Sequence, residues 1–302
     1  MKTDLDHLPV GKRRELARVV EILHEEFDEA QAGASSEKRR RGRILKIVLF
    51  GSYARGDWVD GFSSNRGYQS DYDILIVVNQ KKLTDPGGAW YNAEDRITRA
   101  IKGPLTLIVH TLGEVNDRMA MGHYFFADIR REGVMLYELK GQKPLAKPRP
   151  LTPKEAYEIS EEYFAQWHPR SAEAIAGYNF FLARKNLNDA AFNLHQAVER
   201  TYNTFLLTLT HYTPASHNIV NLRNLAEEQD RRLVEAWPRY FRRDRSAYNI
   251  LKRAYVEARY SPHFAITTEQ LDWLEAGARR LHGLVEQACQ ERLAELKARL
   301  PG

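Results

Sequence analysis

Apolar residues follow two different rhythms along this chain, and the change comes near residue 150. In the first part, short unbroken apolar runs alternate with longer periodic stretches. Residues 47–50, 74–78 and 104–110 are compact runs bounded by turn residues, the pattern of buried strands. Leu16, Val19, Val20, Leu23 and Phe27 recur at helical spacing and predict a helix over 11–31. Further helices are predicted over about 89–102 and over 115–131, the latter broken near Gly122, with a short last strand over 134–137. After Pro153 the three-to-four spacing is continuous, as in Tyr178–Leu182 and Phe192–Ala197. Expected breaks at Pro169, at Thr213-Pro214, at Pro238 and at Ser261-Pro262 divide this part into about five helices.

The pattern predicts an α/β domain over 1–140, a linker over 141–153, and an all-α helical bundle over 154–302. The linker carries Pro144, Pro148, Pro150 and Pro153 among Lys140, Lys143, Lys147 and Arg149, and such density favours extended chain.

Composition narrows the function classes. Of 302 residues, 43% are apolar, enough for two cores, and the net charge of +5 permits nucleotide or nucleic-acid binding without requiring it. The basic run over 38–43 reads first as a solvated loop. The single cysteine, Cys289, excludes a disulfide scaffold and a cysteine-rich zinc site. The first residues are polar and no apolar run reaches membrane-spanning length, so a cytoplasmic protein with no membrane partner is expected.

The chemistry concentrates where two apolar runs meet polar punctuation. The run ending in Phe50 gives way to Gly51-Ser52, followed by Ala54-Arg55-Gly56-Asp57. The run over 74–78 is preceded by Asp71-Tyr72-Asp73. Alternation along a strand aims Asp71 and Asp73 the same way, and two such carboxylates can hold Mg²⁺. Gly-Ser at a strand end can present backbone N–H groups to phosphates. Together they suggest phosphoryl or nucleotidyl transfer from a nucleoside triphosphate.

In this order the residues resemble the nucleotidyltransferase superfamily of the DNA polymerase β-like fold, over roughly the first 140 residues. The resemblance implies that Gly51 and Ser52 hold the triphosphate of an NTP such as ATP and that Asp71 and Asp73 bind Mg²⁺. Arg55 is a further candidate for phosphate contact. Active members place a third acid on an adjacent strand, whereas residues 105–110 here contain none. Thr106 and His110 share one face of that strand. Asp57, Asp60 and Glu114 remain candidates for the third ligand and His110 for a base, or the domain binds nucleotide without fast turnover.

In the helical part, His195, Glu199 and Tyr202 fall three to four residues apart, with Asn203 adjacent. Arg253, Tyr255, Arg259 and Tyr260 lie on a later helix, and His217 stands near a helix start. The stretches Ala190–Tyr202 and Ala254–Tyr260 resemble the HEPN domain, a helical bundle often paired with a nucleotidyltransferase domain. Active HEPN ribonucleases carry an arginine four to six residues before a histidine. Arg259 and His263 have only three residues between them, with Pro262 beside the histidine, so RNA cleavage is the least expected activity. His195, Glu199, Tyr202 and Arg259 are expected instead to form a polar pocket for a nucleotide or small substrate, or to complete the first domain's cleft.

The expectation is therefore an Mg²⁺-dependent enzyme that moves a nucleoside monophosphate to the hydroxyl of a protein or a small molecule. The alternative is a nucleotide sensor without turnover, as in a toxin–antitoxin or stress system. A homo-oligomer is expected, and a nucleic-acid partner is permitted.

Overall fold

The computed structural model describes residues 1–32, 42–59, 69–85, 87–101, 103–239 and 241–300. The basic run over 38–41 and the polar loop over 60–68, including Asp60, lie outside the described residues. The chain divides into two compact units between Pro150 and Leu151.

The first unit is a mixed sheet with helices on both faces. Its elements are α1 (Val10–Ala32), β1 (Ile44–Phe50), α2 (Gly51–Arg55), β2 (Tyr72–Val78), α3 (Ala89–Ala100), β3 (Leu105–Thr111), α4 (Leu112–Ala120), α5 (Tyr124–Glu132) and β4 (Val134–Glu138). The strand order is β3-β2-β1-β4. β1 pairs antiparallel with β2 and β4, and β2 pairs parallel with β3 through the crossover that contains α3. β1 and β2 are buried along their whole length, which is why both read as unbroken apolar runs. Ile47, Leu49, Tyr72, Ile74 and Ile76 share a core with Leu16, Val19, Leu23 and Phe27 of α1 and with Trp90, Ala93 and Ile97 of α3. The opposite face, carrying Phe50 and His110, meets Phe125 and Phe126 of α5 edge-on. Lys46 is the one charged residue inside β1, and it pairs with Glu138, its register partner on β4.

The chain after β4 stays attached to this unit. Leu145 is buried, Ala146 N–H donates to Asn116 Oδ1 (2.8 Å), and Arg149 N–H donates to the Met119 carbonyl (2.9 Å). The proline-rich stretch is thus laid on α4 and α5 as far as Arg149. The stretch expected as a linker over 141–153 makes specific contacts with the first unit as far as Arg149.

The second unit is helical: α6 (Pro153–Ala183), α7 (Leu187–Thr210), α8 (Ile219–Gln229), α9 (Arg242–Tyr260) and α10 (Thr268–Lys297), with a 3₁₀ turn at Arg231–Ala236. α7 is the central helix and packs against the other four. Gly277 of α10 gives Trp237 its seat, since a Cβ there would lie 2.4 Å from the indole. Pro169 does not break the bundle: α6 runs through it to Ala183. The helix tolerates the lost N–H because packing along α7 and α10 holds the segments on either side. The break falls at Arg184–Asn186 instead, where Lys185 adopts φ 58° and Asn186 caps α7 through its side chain. No described helix is long and apolar enough to cross a membrane.

Candidate active site

The carboxylate pair sits at the edge where β1 ends and β2 and β3 begin. Phe50 of β1 pairs with Asp73, and Asp73 pairs with Thr106 of β3. Thr106 Oγ1 donates to Asp71 Oδ2 at 3.2 Å. A side chain opposite Asp73 therefore reaches Asp71, so the two carboxylates face the same side of the sheet. Both are buried, at 4% and 2% exposure.

Gly51 brings α2 against this pair. Its φ is +72°, and a Cβ there would lie 2.3 Å from Asp73 Oδ2. Only glycine meets both the backbone angle and the approach. Ser52 follows with no exposed surface, and its Oγ is buried without a hydrogen-bond partner among the described residues. Such a hydroxyl is costly unless something else meets it. Gly51, Asp71 and Asp73 thus come together at one edge of the first unit, with Ser52 next in the chain after Gly51. This donor set fits Mg²⁺: two carboxylates supply the hard, charged oxygens it prefers, and an unmet hydroxyl stands beside a glycine cradle.

The other sequence candidates in this unit lie elsewhere. Arg55 ends α2, paired with Asp57 (3.3 Å) and Glu132 (3.9 Å). His110 shares the Asp73 face but stands four residues along β3, opposite Val77, which at about 3.3 Å per residue is roughly 13 Å from Thr106. Burial lowers its pKa to about 4 and the ring packs on Phe126, so it is not placed as a base for this edge. Glu114 closes the capping box of α4 with Thr111 and pairs with Lys81 at the same far end. Burial would raise its pKa, but Lys81 and the Thr111 N–H outweigh that and hold it at about 2. Neither residue supplies the third acid. The described residue at that register position is Thr106, whose bond to Asp71 depends on strand pairing that spacing does not reveal.

A second polar constellation lies in the helical unit. His195 Nδ1 donates to the Leu251 carbonyl (2.9 Å), and its Nε2 lies 3.4 Å from Glu199. His217 Nδ1 approaches Glu199 at 3.1 Å. Burial alone would raise the Glu199 pKa, but the two histidines outweigh it and lower it. His217 stacks on Tyr255 (4.1 Å), and the Arg259 guanidinium lies over the same ring at 4.7 Å. His195, Glu199 and Arg259 are thus gathered around Tyr255. Tyr202 is not among them: it is fully buried two turns further along α7, near Tyr248 and the buried Arg223–Glu227 ion pair. Helical spacing placed it on the His195 face, but α7 is enclosed there and presents no polar surface. His263 lies beyond the end of α9, so it does not share a helix with Arg259.

With this geometry in place, comparison with known proteins gives the class. Residues 34–102 match the nucleotidyltransferase domain, and residues 165–288 match the HEPN domain. The chain joins a nucleotidyltransferase domain to a HEPN domain. A 41-residue stretch is 54% identical to a protein of Methanocaldococcus jannaschii named as a candidate protein adenylyltransferase. That match covers 14% of this chain and 33% of the relative, so the chain spans about a third of the relative's length.

Proposed function

We propose that the chain transfers a nucleoside monophosphate, AMP foremost, from a nucleoside triphosphate to a hydroxyl of a protein. The observation that carries this reading is the buried pair Asp71/Asp73, with Asp73 against Gly51 and the unmet Ser52 hydroxyl next in the chain. The name of the archaeal relative supports AMP as the group and protein as the acceptor; a small hydroxylated molecule remains the other acceptor class.

In this reading Asp71 and Asp73 hold Mg²⁺. The chemistry the ion supplies when bound is neutralisation of the triphosphate and of the departing pyrophosphate. Ser52 Oγ donates to a phosphate oxygen, which meets its hydrogen-bonding need. Gly51 keeps the backbone close enough for that contact. Thr106 fixes the Asp71 carboxylate, so the pair is oriented before substrate arrives. The acceptor oxygen attacks the α-phosphorus in line, the bond to the bridging oxygen breaks, pyrophosphate leaves, and the hydroxyl proton passes to solvent.

A second reading, nucleotide binding without transfer, is favoured by Thr106 standing where an acid would complete the site. One experiment separates the two. The purified chain is incubated with Mg²⁺ and ATP labelled at the α-phosphate, with its own cell extract as acceptor. Label on protein and matching pyrophosphate, both absent in Asp71→Asn/Asp73→Asn, are expected. Mg²⁺-dependent binding of ATP without pyrophosphate release would establish the second reading. Equal nucleotide binding by the wild type and the double variant would reject both.

A further inference from the structure

The helical unit contains a cluster that the proposed chemistry does not use. His168 lies midway along α6, and His282 and Glu286 stand one turn apart on the facing helix α10. One ligand atom from each lies within 4.8 Å of the other two. Nε2 of His168 and Nε2 of His282 are both buried and form no hydrogen bond. The two rings are 4.7 Å apart, and Phe164 stacks on His168 at 4.8 Å, which fixes that ring. Glu286 accepts a long hydrogen bond from Gln290 (3.4 Å).

Two imidazoles facing each other cannot satisfy one another unless one donates, and here neither nitrogen is bonded. A buried nitrogen without a partner calls for an explanation, and a metal ion is one that meets both at once. The i, i+4 spacing puts His282 and Glu286 on one face of α10, aimed at α6. Two imidazole nitrogens and one carboxylate oxygen suit zinc and its first-row neighbours, whereas magnesium and calcium prefer oxygen throughout. Bonds of about 2.0–2.2 Å put tetrahedral donors roughly 3.4 Å apart. The present separations, up to 4.8 Å, must shorten to that value when an ion binds.

We propose that His168, His282 and Glu286 form a site for one transition-metal ion of the zinc class, linking α6 to α10. Three protein ligands leave the remaining position for water. The site takes no residue from the Asp71/Asp73 pair and does not depend on nucleotide transfer.

The test uses the full chain after treatment with chelator. Titration with Co²⁺, followed by its visible absorption, should show one equivalent bound with the strong bands of a low-coordinate site, displaced by Zn²⁺. His168→Gln and His282→Gln should abolish the bands, and Glu286→Gln should weaken binding at least tenfold. Asp71→Asn/Asp73→Asn should leave them unchanged. Zn²⁺ should raise the thermal midpoint of the wild type and not that of His282→Gln. A measurement without variants guards against misfolding: Zn²⁺ should shield His168 and His282 of the wild type from histidine acylation, read by peptide mass. Absence of stoichiometric Co²⁺ uptake, uptake unchanged in His282→Gln, uptake lost in the aspartate variant, or no shielding would each overturn the proposal.

Discussion

Gly51 and Ser52 are neighbours in the chain but constrain the site in opposite ways. Gly51 is needed by the fold itself: its φ is +72° and Asp73 occupies the space a Cβ would take. Gly51→Ala should cost about 1–2 kcal/mol from the backbone angle alone and should also displace the Asp73 carboxylate. The Ser52 hydroxyl makes no hydrogen bond among the described residues. Ser52→Ala should therefore leave stability unchanged or raise it by up to about 1–3 kcal/mol, the cost of a buried hydroxyl without a partner. It should nevertheless weaken Mg²⁺–nucleotide binding about tenfold or more, the worth of a hydrogen bond to a charged group. Urea denaturation and calorimetry on the same sample check both halves. A destabilised Ser52→Ala with unchanged nucleotide affinity would make the hydroxyl structural and sink its assignment. The placement of Gly51, Ser52, Asp71 and Asp73 at a strand edge was legible in the sequence because each stands at the end of an apolar run, where a strand must stop and a turn begin. The Thr106–Asp71 bond was not, because the pairing of β2 with β3 passes through a helical crossover and no local pattern sets its register.

Whole elements were read well where burial is complete and less well where single residues compete. β1 and β2 are recognisable as unbroken apolar runs, and both lie in the interior of the sheet. Pro169 reads as a stop, yet α6 continues, because tertiary packing along a long helix outweighs one lost hydrogen bond. Lys185, with no strong turn signature, adopts the left-handed angle that ends the helix. β3 illustrates a functional consequence of an element's far end. In the unfolded chain His110 takes a proton near pH 6.5, and in the folded chain burial lowers that to about 4. Between these values the unfolded state binds more protons, so stability is fully kept above the window and falls as pH falls through it. At pH 5 the loss from His110 should be about 2 kcal/mol. His110→Phe keeps an aromatic ring against Phe126 and should reduce the drop in the first unit's urea stability between pH 7 and pH 5 by that amount. His123, also lowered to about 4 by burial, would sustain the rest of the drop. An unchanged drop in the variant would show that His110 titrates normally.

At the scale of the molecule, the change of apolar rhythm near residue 150 coincides with the division into two compact units. The role of the proline-rich stretch was not legible, since prolines describe a backbone that avoids helix but not what that backbone packs on. Its contacts are specific. Leu145 is only 6% exposed. Asn116 Oδ1 accepts from Ala146 N–H, the Met119 carbonyl accepts from Arg149 N–H, and the Ala120 carbonyl accepts from Arg149 Nε (3.2 Å). Arg130 Nε reaches the Leu145 carbonyl at 3.4 Å. Cutting the chain at residue 140 would expose the surface beneath Leu145 and leave the Asn116 and Met119 acceptors to water. Burial of one leucine is worth about 1.5–3 kcal/mol, and each hydrogen bond adds about 1 kcal/mol. The prolines reduce the entropy that ordering this stretch removes, so the balance should favour attachment. A fragment of residues 1–150 should therefore be more stable in urea than a fragment of residues 1–140, and Leu145→Ala in the longer fragment should remove most of the difference. Equal midpoints for the two fragments, or a Leu145→Ala fragment as stable as its parent, would show that the stretch adds nothing to the first unit and serves only as a connection.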